Sequence, residues 1–317
     1  MIYRQIGTTG ISASALGLGC SRLGSFASGV SGTAALRLLD EAFDLGINFY
    51  DTADSYGQGE SETLIGKVFR RKRDRIVITT KVGYRLRGMI PLLFAVKPLL
   101  RPLLRHLRAA RAVTLGARPS AMGIDFEPGY IRRAIEKSLR RLRTEYIDFY
   151  LLHNPPLDVA RDRTVLELLA SLQRSGKIRH YGLSCTSAEA GLAALEDGGV
   201  RAIEFPLSPV SVSNHEALLA ATARRSVGVF ANQPFAAGAA LGLGGTTGGR
   251  HGAAMLAAAA RDLGSSPAQL LLQFALHCKG VSIVLAGTTN PAHLQENVRA
   301  VTERPLPPGL FDSILTA

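Results

Sequence analysis

Two alternating rhythms run along the chain. Short apolar runs rich in branched and aromatic residues stand at "LGLGC" (16–20), "INFYD" (47–51), "RIVITTK" (75–81), "YIDFYLLH" (146–153), "IRHYGLS" (178–184), "AIEFPL" (202–207), "VGVFAN" (227–232) and "VSIVLAG" (281–287). Several lack strict alternation, the pattern of strands covered on both faces by crossover helices. Between them apolar residues recur at helical spacing and predict helices over 33–45, 61–70, 130–143, 164–175, 187–197 and 214–225, then 253–263, 267–278 and 291–302. Thr33, Ser61 with nearby Glu62, and Ser266 before Pro267 read as helix starts. Eight strands alternating with helices close most economically into a (β/α)8 TIM barrel, an α/β fold, preceded by a β-hairpin in "YRQIGTTGISASAL". The alternative is an open doubly wound sheet. Against it, "GLGLGC" is not a GxGxxG turn running straight into a helix.

In a parallel barrel the carboxyl ends of the strands meet at one mouth, and that mouth carries the chemistry. Asp51, Lys81, His153, Ser184 and Glu204 all lie at or near predicted strand ends, and Tyr56 follows Asp51 in "NFYDTADSYGQGE". A tyrosine can act as a general acid towards a carbonyl oxygen, but its unperturbed pKa of about 10 is poorly matched to neutral pH. A nearby lysine favours phenolate and lowers that pKa, and a carboxylate beside the lysine holds it charged. Asp51, Tyr56 and Lys81 supply this set, and His153 can orient the same carbonyl or relay protons. Taken singly, Asp51 can also be read as a turn cap, Lys81 as a solvated strand end and His153 as a satisfied core histidine. Together they read as a proton-handling site. Hydride donation is left to a nicotinamide or similar cofactor, because side chains do not perform it.

Composition changes this picture little. With 46% hydrophobic and 20% charged residues the chain can bury a large core, and 1–317 is read as one barrel domain with an insertion at about 84–128. The start "MIYRQIGTTG" lacks the basic opening and apolar run of a signal peptide, and no stretch is apolar long enough to cross a bilayer. A cytoplasmic location is therefore expected. Cys20, Cys185 and Cys278 stand far apart without CxxC spacing, so neither a disulfide framework nor a metal site is expected. The net charge of +12 is local: residues 82–120 hold eight basic side chains and no acidic one, leaving +4 for the remainder. That distribution argues against nucleic acid as the partner.

The chain resembles the aldo-keto reductase family in "INFYDTADSYGQGESETLIGKVF", "RIVITTKVG", "SLRRLRTEYIDFYLLHNP" and "GTTNPAHLQENV", which occur in the family's order. The resemblance runs from about residue 3 to 302. It implies a barrel whose base is closed by the hairpin, an extended NAD(P)(H) across the mouth, and interconversion of a small carbonyl compound and its alcohol. By position Tyr56 is the general acid/base, Asp51 and Lys81 tune it, and His153 orients the carbonyl. The implied cofactor contacts depart from the commoner pattern. Ser184 matches, Cys185 replaces an amide, and Glu204 stands where many relatives have glutamine. An ionised carboxylate accepts from the carboxamide NH2 but cannot donate to its oxygen. Gly287, Thr288 and His293 occupy positions where NADPH-preferring relatives carry Lys-Ser and later Arg, while Glu296 and Asn297 match residues at the adenine end. Losing two fixed cations removes charge-assisted contacts to a 2′-phosphate, which leans against strict NADP use. Two other readings stand beside this one: an NAD-dependent sugar or lactol dehydrogenase, and a catalytically silent barrel serving as a binding or regulatory subunit.

Relatives usually connect the third strand to its helix by a short loop, whereas nearly fifty residues precede Tyr130 here. In "KPLLRPLLRHLRAAR" the leucines at 99, 100, 103, 104 and 107 and the arginines at 101, 105 and 108 fall on opposite faces of a possible helix. Residues 88–118 are read as a lid or pocket wall, with a membrane-surface anchor or a protein contact as alternatives. The glycine-rich run 238–249 reads as a flexible cover over the cofactor or as a plain connector.

Overall fold

The protein's structure, a computed structural model, describes residues 1–24, 31–86, 122–236, 238 and 247–302. Strands β1 (Tyr3–Gln5) and β2 (Ser12–Ser14) form the expected antiparallel hairpin, with Tyr3 opposite Ser14. Eight parallel strands then close a barrel in chain order: β3 (Leu16–Gly19), β4 (Phe49–Asp51), β5 (Val77–Val82), β8 (Ile147–His153), β9 (Ile178–Ser184), β10 (Ala202–Pro206), β11 (Gly228–Asn232) and β12 (Val281–Ala286), which pairs back to β3. Between β5 and β8, β6 (Tyr84–Leu86) and β7 (Met122–Ile124) pair antiparallel as a stem. Residues 88–118 with their leucine and arginine pattern, and most of the run 238–249, lie outside the described residues.

Period-two geometry gives each strand one inner face. Low in the barrel that face carries Phe49, Val77, Phe149, Leu151, Ala202, Phe230 and Ile283, and the hairpin's Ile6, Ile11 and Ala13 join them to plug the base. The rings of Phe49, Phe149 and Phe230 pack with centroids 4.8–6.5 Å apart. The hairpin is pinned by Asn48, whose Oδ1 accepts from the Ser14 amide at 2.7 Å while its own amide donates to Ser14 Oγ at 3.1 Å. A second, larger apolar layer lies between the strands and the surrounding helices.

The longer helices among the described residues are α1 (Gly32–Asp44), α2 (Glu60–Phe69), α3 (Pro128–Leu142), α4 (Arg163–Arg174), α5 (Ala188–Ala194), α6 (Glu216–Arg225), α7 (Thr247–Asp262), α8 (Pro267–His277) and α9 (Pro291–Thr302). Helix α8 starts as its sequence suggests, with Ser266 and Gln269 forming a reciprocal capping box. Two expected caps are corrected. Ser31, not Thr33, caps α1, its Oγ accepting from the Ala34 amide at 3.2 Å. The cap of α2 is left-handed Gly59 rather than Ser61, because Ser61 and Glu62 are buried and engaged elsewhere. Ser61 Oγ bridges Thr52 Oγ1 and the Cys20 carbonyl, and Glu62 accepts from Thr80 Oγ1 and Arg141 Nε at 2.6 Å each. Helix α7 begins six residues before the predicted 253.

Candidate active site

Continuing up the inner face, six of the eight barrel strands exchange apolar for polar residues. Above Phe49 stands Asp51, above Val77 stand Thr79 and Lys81, and above Phe149 and Leu151 stands His153. Ser184, Glu204 and Asn232 follow on β9, β10 and β11. Ladder register joins them sideways, His153 opposite Ser184 and Ser184 opposite Glu204. The five strand-end residues anticipated from sequence are therefore brought to one mouth.

Lys81 is fully buried at its centre. Its Nζ bonds the Asp51 carboxylate, donates to the Thr52 carbonyl at 3.2 Å and lies 3.3 Å from Glu204 Oε2. Burial opposes its charge, but Asp51, Glu204 and Tyr56 outweigh that and hold the ammonium well above its ordinary pKa. Asp51 is pushed up by burial and by Glu204, and drawn back by Lys81. Glu204, expected as a cofactor contact, is engaged within the protein at the mouth. Its Oε1 already accepts from Ser184 Oγ at 3.1 Å and Asn232 Nδ2 at 2.8 Å, while Oε2 faces Lys81.

Tyr56 enters from the turn after β4. Gly57, Gln58 and Gly59 there have φ of 59°, 62° and 86°, and a side chain on Gly57 would meet the Gly24 carbonyl oxygen at 2.8 Å. The turn sets the Tyr56 ring with its centroid 5.3 Å from Lys81 Nζ and 5.8 Å from the His153 ring, the two rings edge to face. Burial raises the phenol pKa; Lys81 lowers it, as expected from sequence, but Asp51 and Glu204 raise it further. The net direction is upward, because burial is the largest influence and the two carboxylates add to it against one cation. Tyr56 is a protonated donor at neutral pH. Burial, reinforced by Lys81, drops His153 to about 3, so the imidazole is neutral and suited to orienting a carbonyl rather than to supplying a proton.

Three residues escaped the sequence reading. Tyr84, at the foot of the stem, packs its ring edge-on to His153 at 4.7 Å, and its hydroxyl accepts from Asn154 Nδ2 at 3.3 Å. Asp54, two residues before Tyr56, is pushed up to about 8 by burial and by Glu62. Arg299 is the third. With Ser265, Ser266, His293 and Glu296 it lines a groove of about 590 Å³ where the loop before α8 meets α9. Spacing three after Lys81 was the available signal for Tyr84, and helical spacing from Glu296 for Arg299.

That groove gathers part of the expected adenine-end set. Glu296 bonds Ser266 Oγ, and Asn297 is buried beneath. Thr288 turns into its own loop, its Oγ1 accepting from the Asn290 amide at 3.0 Å, and Gly287 closes against Gly19. Cys185 is not at the mouth: its sulfur lies against Gly191 of α5, in the layer between strands and helices, and burial with Glu204 pushes the thiol up to about 12. At the mouth His153 Nδ1 and Asn232 Oδ1 are buried without protein partners. Buried polar atoms of this kind are normally satisfied. An acceptor such as Asn232 Oδ1 suits the NH2 of a carboxamide, so the residues present fit a nicotinamide cofactor.

Comparisons with known proteins agree with this geometry. The chain is similar to aldo-keto reductase AKR11C1 from Bacillus halodurans in its holo form, at 28% identity and a TM-score of 0.78, covering 100% of this chain and 96% of that one. L-galactose dehydrogenase of Arabidopsis thaliana is 28% identical over 316 residues, 95% of this chain and 88% of the relative. Uncharacterized oxidoreductase YqkF of Bacillus subtilis is 33% identical over 186 residues, 58% of this chain. That match spans about half, 49%, of YqkF's own length. The sequence profile of the aldo/keto reductase family matches residues 15–314, and the chain belongs to that family.

Proposed function

We propose that the chain is an NAD(P)(H)-dependent oxidoreductase that interconverts a carbonyl compound and an alcohol, with Tyr56 as the acid/base. The observation that carries this reading is the convergence of a protonated phenol, a buried ammonium and a neutral imidazole at one mouth. A bound nicotinamide supplies the hydride. In the reducing direction Tyr56 donates its proton to the carbonyl oxygen, the Lys81 ammonium stabilises the phenolate left behind, and neutral His153 holds the carbonyl in line. Asn232, Ser184 and the groove of His293, Glu296 and Arg299 would hold the cofactor. Tyr56→Phe tests this: turnover should fall about 10²–10⁴-fold while cofactor affinity, read by fluorescence titration, stays within about threefold. Turnover that survived Tyr56→Phe would remove Tyr56 as the acid/base, and cofactor binding without turnover in the parent chain would support the silent-barrel reading.

NAD(H) is used at least as well as NADP(H) on this reading. Glu296 sets a carboxylate in the groove where a 2′-phosphate would be repelled, although Arg299 and His293 stand nearby. Side-by-side titration with NADH and NADPH checks it, and a clear NADPH preference would make Arg299 the phosphate partner. Gly287 in place of a lysine and the likeness to L-galactose dehydrogenase favour sugar or lactol oxidation as the second reading. The contact of Tyr84 with His153 supports the pocket-wall reading of the insertion over a membrane anchor at 88–118.

A further inference from the structure

Almost all of the net charge lies in one continuous segment. Residues 82–143 carry fourteen Lys and Arg against three Asp and Glu, leaving 23 against 22 for everything else. Helix α3 is its main described part, and there the charge is ordered. Arg132, Arg133, Lys137, Arg140 and Arg143 are exposed on the face opposite buried Ile131, Ile135, Leu139 and Leu142. No ion pair joins any of these five to a described carboxylate. The one acid on the face, Glu136, is held by Lys177, and Arg141 turns away to Glu62. Between α3 and α4 four of these cations, Arg132, Arg133, Lys137 and Arg140, join the Glu136–Lys177 pair in lining a groove of about 470 Å³ floored by Leu172.

Like charges three and four residues apart, as in Arg133/Lys137, Lys137/Arg140 and Arg140/Arg143, oppose helix formation, and a face shaped for solubility alone intersperses signs. From Arg132 to Arg143 the face runs about 16 Å, twice the Debye length of about 8 Å at physiological salt. A small anion would cover part of it; an extended anionic surface meets all of it. The one aromatic of α3, Tyr130, is half-buried and donates its hydroxyl to the Tyr84 carbonyl at 3.3 Å, so the face offers no free ring for the base stacking a single-stranded nucleic acid uses. An anionic bilayer is such an extended surface, and it attracts clustered Lys and Arg by charge alone.

We propose that the outward face of α3 is an electrostatic docking surface for an anionic lipid bilayer. It lies on the outer wall of the barrel and is independent of the reaction proposed for the mouth. The test is co-sedimentation of the full chain with vesicles of equal parts phosphatidylcholine and phosphatidylserine, with phosphatidylcholine alone as control. Binding should need phosphatidylserine and weaken with salt. The variant Arg132→Gln/Arg133→Gln/Lys137→Gln/Arg140→Gln should partition at least about tenfold less, and Arg133→Gln/Arg140→Gln should fall between. Arg132→Lys/Arg133→Lys/Arg140→Lys should bind like the parent, because a bilayer reads charge rather than fork geometry. Thermal melts confirm that each variant is folded. Three outcomes overturn the proposal: no phosphatidylserine-dependent binding at low salt; undiminished binding by the four-Gln variant, which would move the contact to 88–118; or displacement of the vesicles by duplex DNA through the same arginines, which would make the partner a nucleic acid.

Discussion

The barrel mouth and the wall of α3 treat charge in opposite ways. At the mouth Asp51, Lys81 and Glu204 are buried, and each charge touches an opposite one. On α3 five cations share a face and no described carboxylate answers them. Solvent explains the difference. A buried charge without a partner is prohibitive, whereas water and salt screen an exposed one. Pairing therefore marks where the fold depends on a charge, and lack of pairing marks where the fold is indifferent and a partner can act.

The contrast breaks most visibly at Lys81. Lys81→Met leaves Asp51 and Glu204 facing each other without a cation, and should cost about 3–5 kcal/mol of stability at neutral pH. Urea unfolding should show part of that loss recovered under acid, where the carboxylates protonate. A smaller effect belongs to Asp54, whose native carboxyl keeps its proton up to about 8 against an ordinary 3.8. Between those values the native state binds more protons than the unfolded chain, so this residue makes stability fall as pH rises. In Asp54→Asn that component of the slope should vanish from melts taken between the two limits. Glu204→Gln should sharpen the comparison further: it keeps an acceptor for Ser184 and Asn232 but removes one of two carboxylates opposing the Tyr56 phenolate. The rising limb of the alcohol-oxidation pH profile, set by deprotonation of Tyr56, should move to lower pH. An unmoved limb would show that Glu204 does not act on Tyr56. Smallest of all, the four-Gln variant of α3 should alter folding stability by less than about 0.5 kcal/mol, in either direction, however strongly it alters lipid binding.

Whatever depends on local pattern was legible from the sequence. The strand 178–184 and the helix 291–302 stand where their pattern puts them, and the ends of the apolar runs placed Asp51, Lys81 and His153 at strand ends. What escaped is nonlocal. Ser61 and Glu62 resemble a helix start, and only the packing of α2 against Thr52, Thr80 and Arg141 shows why they are buried. Glu204 meets Lys81 across the barrel, from a strand 123 residues later, a distance that only closure of the ring creates. Cys185 follows Ser184 by one residue, and the strand pleat alone turns its sulfur to the other side.

The stem of β6 and β7 has a practical consequence. Leu86 and Met122 are partners across it, so the chain departs from the barrel and returns at one strand spacing, about 5 Å. Foreign sequence transplanted between those two positions would meet ends that are already joined, and the entropy of closing it would grow only logarithmically with length. The stem is thus a ready-made socket for an affinity or sensor module. Because Tyr84 at its foot touches His153, a module that strains the stem on binding its target could report the event as a change in turnover.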